Sequence, residues 1–467
     1  MAKAEKSKGE LLQEKLLMKP ENSGITMTDK EIKKAEEFCE GYKKFLDAAK
    51  TEREAVDFVL ELAQKSGYIP YDPSKRYTAG EKVCYNNRGK ALILAVMGTA
   101  DLSEGVRIMA SHIDNPRLDL KPRPLYEEGQ LGYFKTHYYG GIKKYQWSAI
   151  PLALHGVIVK KDGSAIKVCI GEDENDPVFC VTDLLPHLAG EQMKRPLKDG
   201  IKGEELNLLI GCRPFKDDKA SEKVKLNLIR LLNEKYDVVE ADFLSADLAA
   251  VPAFKARDMG LDRSMIGAYG HDDRVCAYTS LIAQLEAERP VHTTVLVLAD
   301  KEETGSEGNT GLSSHYLEDF IKDLAASHNL TGRSVLAAST CLSADVNCAF
   351  DPTFGDVNEK RNTSYLNYGV VITKYTGSGG KYGTSEATAE FMAQMRSMLD
   401  DAGIIWQTGE LGKVDAGGGG TVAKYVAALN VDVVDVGVPV LSMHSPFEVV
   451  SKADVYQTYR AFCAYAK

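Results

Sequence analysis

The segment Val295-Leu-Val-Leu-Ala299 carries no polar side chain on either parity of a strand, and it runs directly into Asp300-Lys-Glu-Glu-Thr-Gly-Ser306. A strand that is apolar on both faces must be covered on both faces, which calls for a sheet held between layers of helix. From about residue 251 onward the chain supplies such helices. The stretch opening at Asp272 carries Val275, Tyr278, Leu281, Ile282 and Leu285 on one side, and the one near Thr384 carries Phe391, Met392, Met395 and Leu399. Two more amphipathic helices are expected between Thr28 and Ser66. Further strands are expected at Ala91 to Met97, Val106 to Ala110, Leu336 to Ala338, Val370 to Thr373 and Val431 to Leu441. The fold class is α/β, a sheet sandwiched by helices.

Between about residues 120 and 250 the texture changes to short strands and hairpins, as in Val157 to Val168 with its Asp162-Gly163 turn. A β-rich insertion is expected there. The acidic loop Glu172 to Asp176 and the charged stretch Lys216 to Lys225 read as solvated surface. At 467 residues the chain exceeds the size at which a single core keeps growing, so two domains are expected. A net charge of -10 without a basic run excludes a nucleic-acid surface, which must neutralise many phosphates. No apolar stretch approaches the ~20 residues that span a bilayer, and no secretory h-region is visible. The nine cysteines are dispersed and form no C-x-x-C pair, the pattern of reduced thiols. A cytoplasmic location is expected.

Functional groups of open α/β sheets collect at the carboxyl ends of strands, and several apolar segments here end in chelating residues. Ser111-His112-Ile113-Asp114 offers an imidazole and a carboxylate. Lys301-Glu302-Glu303-Thr304 offers adjacent carboxylates, Ser343-Ala344-Asp345 one more, and Met443-His444-Ser445 a second imidazole. Gly270-His271-Asp272-Asp273-Arg274 stands at a helix start. Taken singly, each is ordinary: an Asp before a helix is usually a cap. Together they make a mixed nitrogen and oxygen shell suited to zinc, or to cobalt or manganese. Two ions ~3.5–4 Å apart need a bridging carboxylate. Of the Glu302-Glu303 pair, one can bind metal while its neighbour faces water, because side chains on an extended segment diverge. Asp114 can orient the His112 imidazole or serve as a turn residue before Pro116.

In combination, S-H-I-D-x-P with Lys121-Pro122, the D-D-R helix start, D-K-E-E-T-G-S, S-A-D and D-V-G-V-P-V-L-S-M-H-S-P resemble the aspartyl aminopeptidases, cocatalytic dizinc exopeptidases of metallopeptidase family 18, over most of the chain. The resemblance implies a zinc-exopeptidase-like catalytic domain from residues 1–118 and 251–467, interrupted by a β-rich dimerisation domain at 119–250. It implies dimers assembled into a dodecamer. Carried over by position, it makes Asp272 the bridging ligand, with His112 and Asp345 on one zinc and Glu303 and His444 on the other. Choosing Asp272 over Asp273 depends on register counted back from Leu281. Glu302 becomes the general base and Asp114 its catalytic companion, and the reaction becomes attack of a zinc-bound hydroxide on the N-terminal peptide bond. Lys374, ending the strand Val370 to Thr373, becomes the reader of an acidic N-terminal residue. Asp415 to Gly420 is expected to turn closely along the cavity.

The sequence departs from the family pattern in places. Only Tyr139-Gly140-Gly141 represents the glycine-rich segment, Ile142 to Trp147 replaces an aromatic and Asp-Arg-Asp run, and Asn347-Cys348 and Phe447 replace Ala-His and Arg. Metal ligands are untouched, but acidic specificity is put in question, so a broader aminopeptidase is the close rival. Related folds also host carboxypeptidases and deacylases, and a non-catalytic oligomeric scaffold is the rival from another class.

Overall fold

In the computed structural model, which describes residues 6–467, the strands form sheets of nine, seven and five members among the described residues. The centre of the largest is a parallel ribbon in the order Thr294–Ala299, Arg107–His112, Thr340–Ala344 and Asp432–Gly437. Its register pairs Ala299 with His112 and Ala344 with Val436, so the carboxyl ends reach one edge together. Antiparallel strands Ala91–Val96 and Val370–Thr373 flank the ribbon.

Both faces are covered, as the apolar strands require. Leu296 and Leu298 pack with residues of helices Asp29–Ala48, Glu52–Lys65, His271–Glu286 and Lys452–Tyr465, while Val295, Val297 and Ala299 pack with Tyr316–Ser327 and Gly332–Ala337. Every residue from Thr294 to Ala299 is buried, and each large one contributes roughly 1.5–3 kcal/mol. The two helices expected between Thr28 and Ser66 begin where expected because Thr28 with Glu31, and Thr51 with Glu54, form reciprocal capping boxes.

Two local expectations are corrected. Leu336 lies in a helix, Gly332–Ala337, whose cap Thr331 accepts from the Ser334 N–H; the strand follows at Thr340–Ala344. The helix expected near Thr384 starts at Ala389, where Thr388 caps the Phe391 N–H.

The seven-stranded sheet lies wholly between Arg117 and Pro252. Its hairpin Leu152–Val159 to Ala165–Ile170 turns at Asp162-Gly163, where Ser164 donates to Asp162 through its N–H (2.9 Å) and its hydroxyl (2.6 Å). Part of the charged stretch expected as bare surface is helix, Lys223–Tyr236, packed on this sheet through Val224 and Asn227. Glu172 is likewise not solvated: it lies 3.2 Å from His155 Nε2 and pairs with Lys255 and Lys50.

The five-stranded sheet runs Arg257–Met259, Met265–Ala268, Glu448–Ser451, Pro439–Leu441 and Asn347–Cys348. Two of its strands deliver the turns that carry Asp272 and His444. No helix among the described residues is long and apolar enough to cross a membrane.

Candidate metal centre

The aligned strand ends bring the expected ligands together. His112 closes its strand and Asp345 follows Thr340–Ala344. Glu302 and Glu303 lie in a 3-10 turn rather than an extended segment, entered through Lys301 at φ 71°. Asp272 occupies the first turn of helix His271–Glu286, and His444 has φ 65°. Non-glycine residues in this left-handed region are strained and persist only where neighbours hold them.

Asp272 stands between the two imidazoles. Its Oδ1 is 3.2 Å from His112 Nε2 and its Oδ2 is 3.1 Å from His444 Nε2. Asp345 Oδ1 lies 3.8 Å from His112 Nε2, and Glu303 Oε2 lies 3.6 Å from His444 Nε2. Ligand atoms of His112, Asp272 and Glu303 all fall within 4.8 Å of one another, and so do those of His112, Asp273 and Asp345. The second grouping contains the other aspartate of the pair: Asp273 is fully buried and neither of its oxygens has a partner.

Asp114, fully buried, faces His112 Nδ1 with Oδ1 at 3.4 Å, although that nitrogen is nearer the Asp114 carbonyl oxygen at 3.1 Å. The Asp114 carboxylate also accepts from the Glu302 N–H (3.1 Å) and the Glu303 N–H (3.2 Å). One buried carboxylate thus orients an imidazole and pins the glutamate turn.

Burial drives the electrostatics. It pushes the Glu302 carboxyl up to about 8, with Asp345, Asp272 and Asp114 adding to the rise against an opposing pull from His112. Glu303 and Asp345 are raised chiefly by burial as well. Burial would depress His112 and His444, but hydrogen bonds with Asp114, Asp272 and Asp345 carry His112 well up, and Asp272 and Glu303 carry His444 to about 11. Asp272 is depressed because those two imidazoles outweigh its burial. Among the described residues no Lys or Arg comes within 4.0 Å of Asp272, Glu303 or Asp345, and buried Glu303 Oε1 has no partner. Buried carboxylates that lack protein cations fit a bound metal cation, whose charge would offset their desolvation.

Asp272, Glu302, Glu303, Asp345 and His444 open on a cavity of about 510 Å³, walled also by Asn347, Cys348, Thr373, Met443 and Gly418 to Gly420. Gly418, at φ 123°, lies so close to the Gly377 carbonyl that a Cβ would overlap it, which accounts for glycine at that position. Lys374 is not part of this wall. Thr373 faces the cavity, the next side chain turns away, and Lys374 Nζ lies 3.7 Å from Glu386 on the exterior.

Three contributors escaped the sequence reading. The Tyr139 hydroxyl donates to Asp114 Oδ2 at 2.7 Å. Asn115 donates to the Asp272 carbonyl. Glu448, 1% exposed, accepts from the backbone N–H groups of His444 and Asp272. An acidic residue opening a strand with the apolar pair Val449-Val450 was the available signal for Glu448, and the position of Tyr139 beside Gly140-Gly141 the one for Tyr139; Asn115 left none.

A covered α/β sheet whose carboxyl edge holds a buried imidazole and carboxylate cluster beside a cleft is an architecture suited to metal-dependent hydrolysis. The profile described as "Aminopeptidase I zinc metalloprotease (M18)" matches residues 45–465. A Clostridium acetobutylicum protein named probable M18 family aminopeptidase 1 is 48% identical over 458 residues, covering 96% of this chain and 98% of that one. The crystal structure of an M18 family aminopeptidase from Thermotoga maritima superposes with a TM-score of 0.91 at 43% identity, covering 96% and 99% of the two chains. Aminopeptidase I from C. acetobutylicum likewise gives 0.91 at 45% identity, covering 97% and 100%. The chain belongs to the M18 family of zinc metallopeptidases.

Proposed function

We propose that this chain releases N-terminal residues from peptides at a two-zinc centre, and that its specificity is broad. The observation that carries the reading is the division of the Asp272 carboxylate, one oxygen toward each imidazole at 3.2 and 3.1 Å. In this reading His112 and Asp345 would hold one ion, Glu303 and His444 would hold the other, and Asp272 would be shared between them. Bound zinc supplies Lewis-acid stabilisation of developing negative charge and acidifies water to a pKa of ~7.

The protein's own part is positioning and proton transfer. The Asp114 carboxylate fixes the turn by accepting the Glu302 and Glu303 N–H groups, leaving the Glu302 side chain on the cavity. Glu302 takes the proton of the attacking water and delivers it to the leaving amine nitrogen. The wall formed by Asn347, Cys348, Thr373, Thr376 and Met443 is uncharged and suits uncharged side chains, although Lys424 also lines the cavity. Acidic specificity through Lys374 would require that side chain to leave Glu386 and reverse its direction.

Residues 119–250 are proposed to mediate dimerisation within a dodecamer. The exposed Leu184, Leu185, Leu188, Met193 and Leu197 of that segment support association. Nine unpaired cysteines support the cytoplasm.

The test is hydrolysis of Leu-, Ala-, Asp-, Glu- and Lys-aminoacyl peptides with and without chelator and added zinc. Chelator-sensitive release of neutral residues is expected. Cleavage confined to Asp and Glu would refute the broad reading and point to a lysine as its reader, Lys424 on the cavity or a redirected Lys374. Cleavage of acylated peptides alone would indicate a deacylase, and no turnover with any metal a scaffold.

A further inference from the structure

The turns bearing Asp272 and His444 leave two different strands, yet their side chains must meet to within the reach of one metal site. Strand register brings the turns side by side: Met265–Ala268 and Pro439–Leu441 both pair with Glu448–Ser451, and Ala268 stands opposite Glu448. Glu448 therefore opens the strand that separates them. Its Oε1 accepts the His444 N–H at 2.7 Å and its Oε2 accepts the Asp272 N–H at 3.1 Å. Across this clamp, Asp272 Oδ2 and His444 Nε2 are 3.1 Å apart.

The clamp is built at a cost. Glu448 is 1% exposed, and among the described residues no Lys or Arg pairs with it within 4.0 Å, so its carboxylate is compensated mainly by those two amides. His444 is held at φ 65° and Ser442 at φ 58°, conformations a free turn of this composition would leave. Two N–H donors also require two acceptor atoms. A carboxylate provides them, whereas a carboxamide of the same shape would turn an NH2 toward one of the donors.

We propose that Glu448 is a positioning residue that sets the separation of Asp272 and His444 by gripping both backbones, and so tunes metal affinity and turnover without touching substrate. The inference rests on the reading of those two residues as ligands.

The test uses full-length wild-type protein and the Glu448→Gln variant, titrated with zinc in competition with a chelator. Zinc affinity is expected to fall 10–100-fold in the variant, the range typical for groups that orient ligands. With zinc saturating, kcat should fall while KM stays within twofold. Affinity and kcat within twofold of wild type would overturn the proposal. Hydrogen exchange on the wild-type protein supplies an answer even where the variant fails to fold. Peptides containing the His444 and Asp272 amides should be protected in the metal-free protein, and rapid exchange at either amide would overturn the clamp. If the wild-type protein bound no zinc, the ligand reading would fail first, and protected amides would then mark a purely structural hydrogen bond.

Discussion

Tyr139→Phe removes one oxygen atom and, with it, one of the contacts through which the seven-stranded sheet reaches the candidate metal centre. The ring is 7% exposed, ends the strand Leu131–Tyr139, and has the Arg117 guanidinium 4.2 Å from its centroid. Phenylalanine keeps that packing and opens no side-chain cavity. What disappears is the 2.7 Å hydrogen bond to Asp114 Oδ2, leaving that oxygen with the Glu303 N–H at 3.2 Å. A hydrogen bond to a charged group contributes about 1.5–3 kcal/mol. Asp114 retains both glutamate amides and its contact with His112, so the loss is expected near the lower end. If it is expressed in the geometry of Glu302 and Glu303, about 1.5 kcal/mol corresponds to roughly a tenfold change in kcat or in zinc affinity. The assay is chelator-competition zinc titration beside steady-state hydrolysis of a Leu-aminoacyl peptide. Tyr126→Phe is the control, because that ring stacks on Tyr133 in the same sheet, 5.4 Å between centroids, without reaching the centre. Zinc affinity and kcat of Tyr139→Phe both within twofold of wild type would refute the coupling between insertion and site.

Other substitutions separate the remaining roles. Glu302→Gln is expected to retain zinc and lose turnover by roughly 10²–10⁴-fold, the usual worth of a positioned base; undiminished hydrolysis would remove Glu302 from that role. His155 is 3% exposed on its side chain, with Glu54 2.7 Å from Nδ1 and Glu172 3.2 Å from Nε2. Burial alone would lower the imidazole, yet its hydrogen-bond partners raise it to about 11. The folded value exceeds the unfolded ~6.5, so the stabilisation is complete below that pH and is lost as pH rises toward 11. Urea unfolding of wild type and His155→Gln should therefore show a stability difference that shrinks by about 1 kcal/mol per unit between pH 7 and 9. A difference that held constant or grew would contradict the charged imidazole.

The strands and the imidazoles and carboxylates that cluster at their ends were legible because both are written locally. Thr294–Ala299 is apolar at every position but its first, and no other arrangement buries both parities. The chelating residues stand next to such strands, and parallel register then aligns them without further instruction. The Leu336 error has the same root: three apolar residues cannot distinguish strand from helix, and the cap contact of Thr331 with Ser334 settled the matter. Lys374 ends up beside Glu386, outside the residues that line the cavity, a placement that no local pattern announces. Glu172 looked like one member of an acidic surface run, and only tertiary contact with His155, Lys50 and Lys255 sets it apart.

What the sequence did not disclose is that the centre is assembled from three sheets. The nine-stranded sheet brings His112, the glutamate turn and Asp345; the five-stranded sheet brings Asp272 and His444; the seven-stranded sheet brings Tyr139 and the Gly141 carbonyl, which lies 2.9 Å from His444 Nδ1. Metal-binding side chains must be of a few types and betray themselves. The groups that hold them act mainly through main-chain amides and carbonyls, and a backbone contact can be served by many residue types. Glu448 meets Asp272 across 176 positions and Asn115 meets it across 157. Contacts of that span leave no local period to read. They also lead to the expectation that substitutions outside the proposed ligand set reach the chemistry: displacing Glu448 would move the backbones of His444 and Asp272, losing Tyr139 would loosen Asp114, and ligand geometry tolerates little displacement.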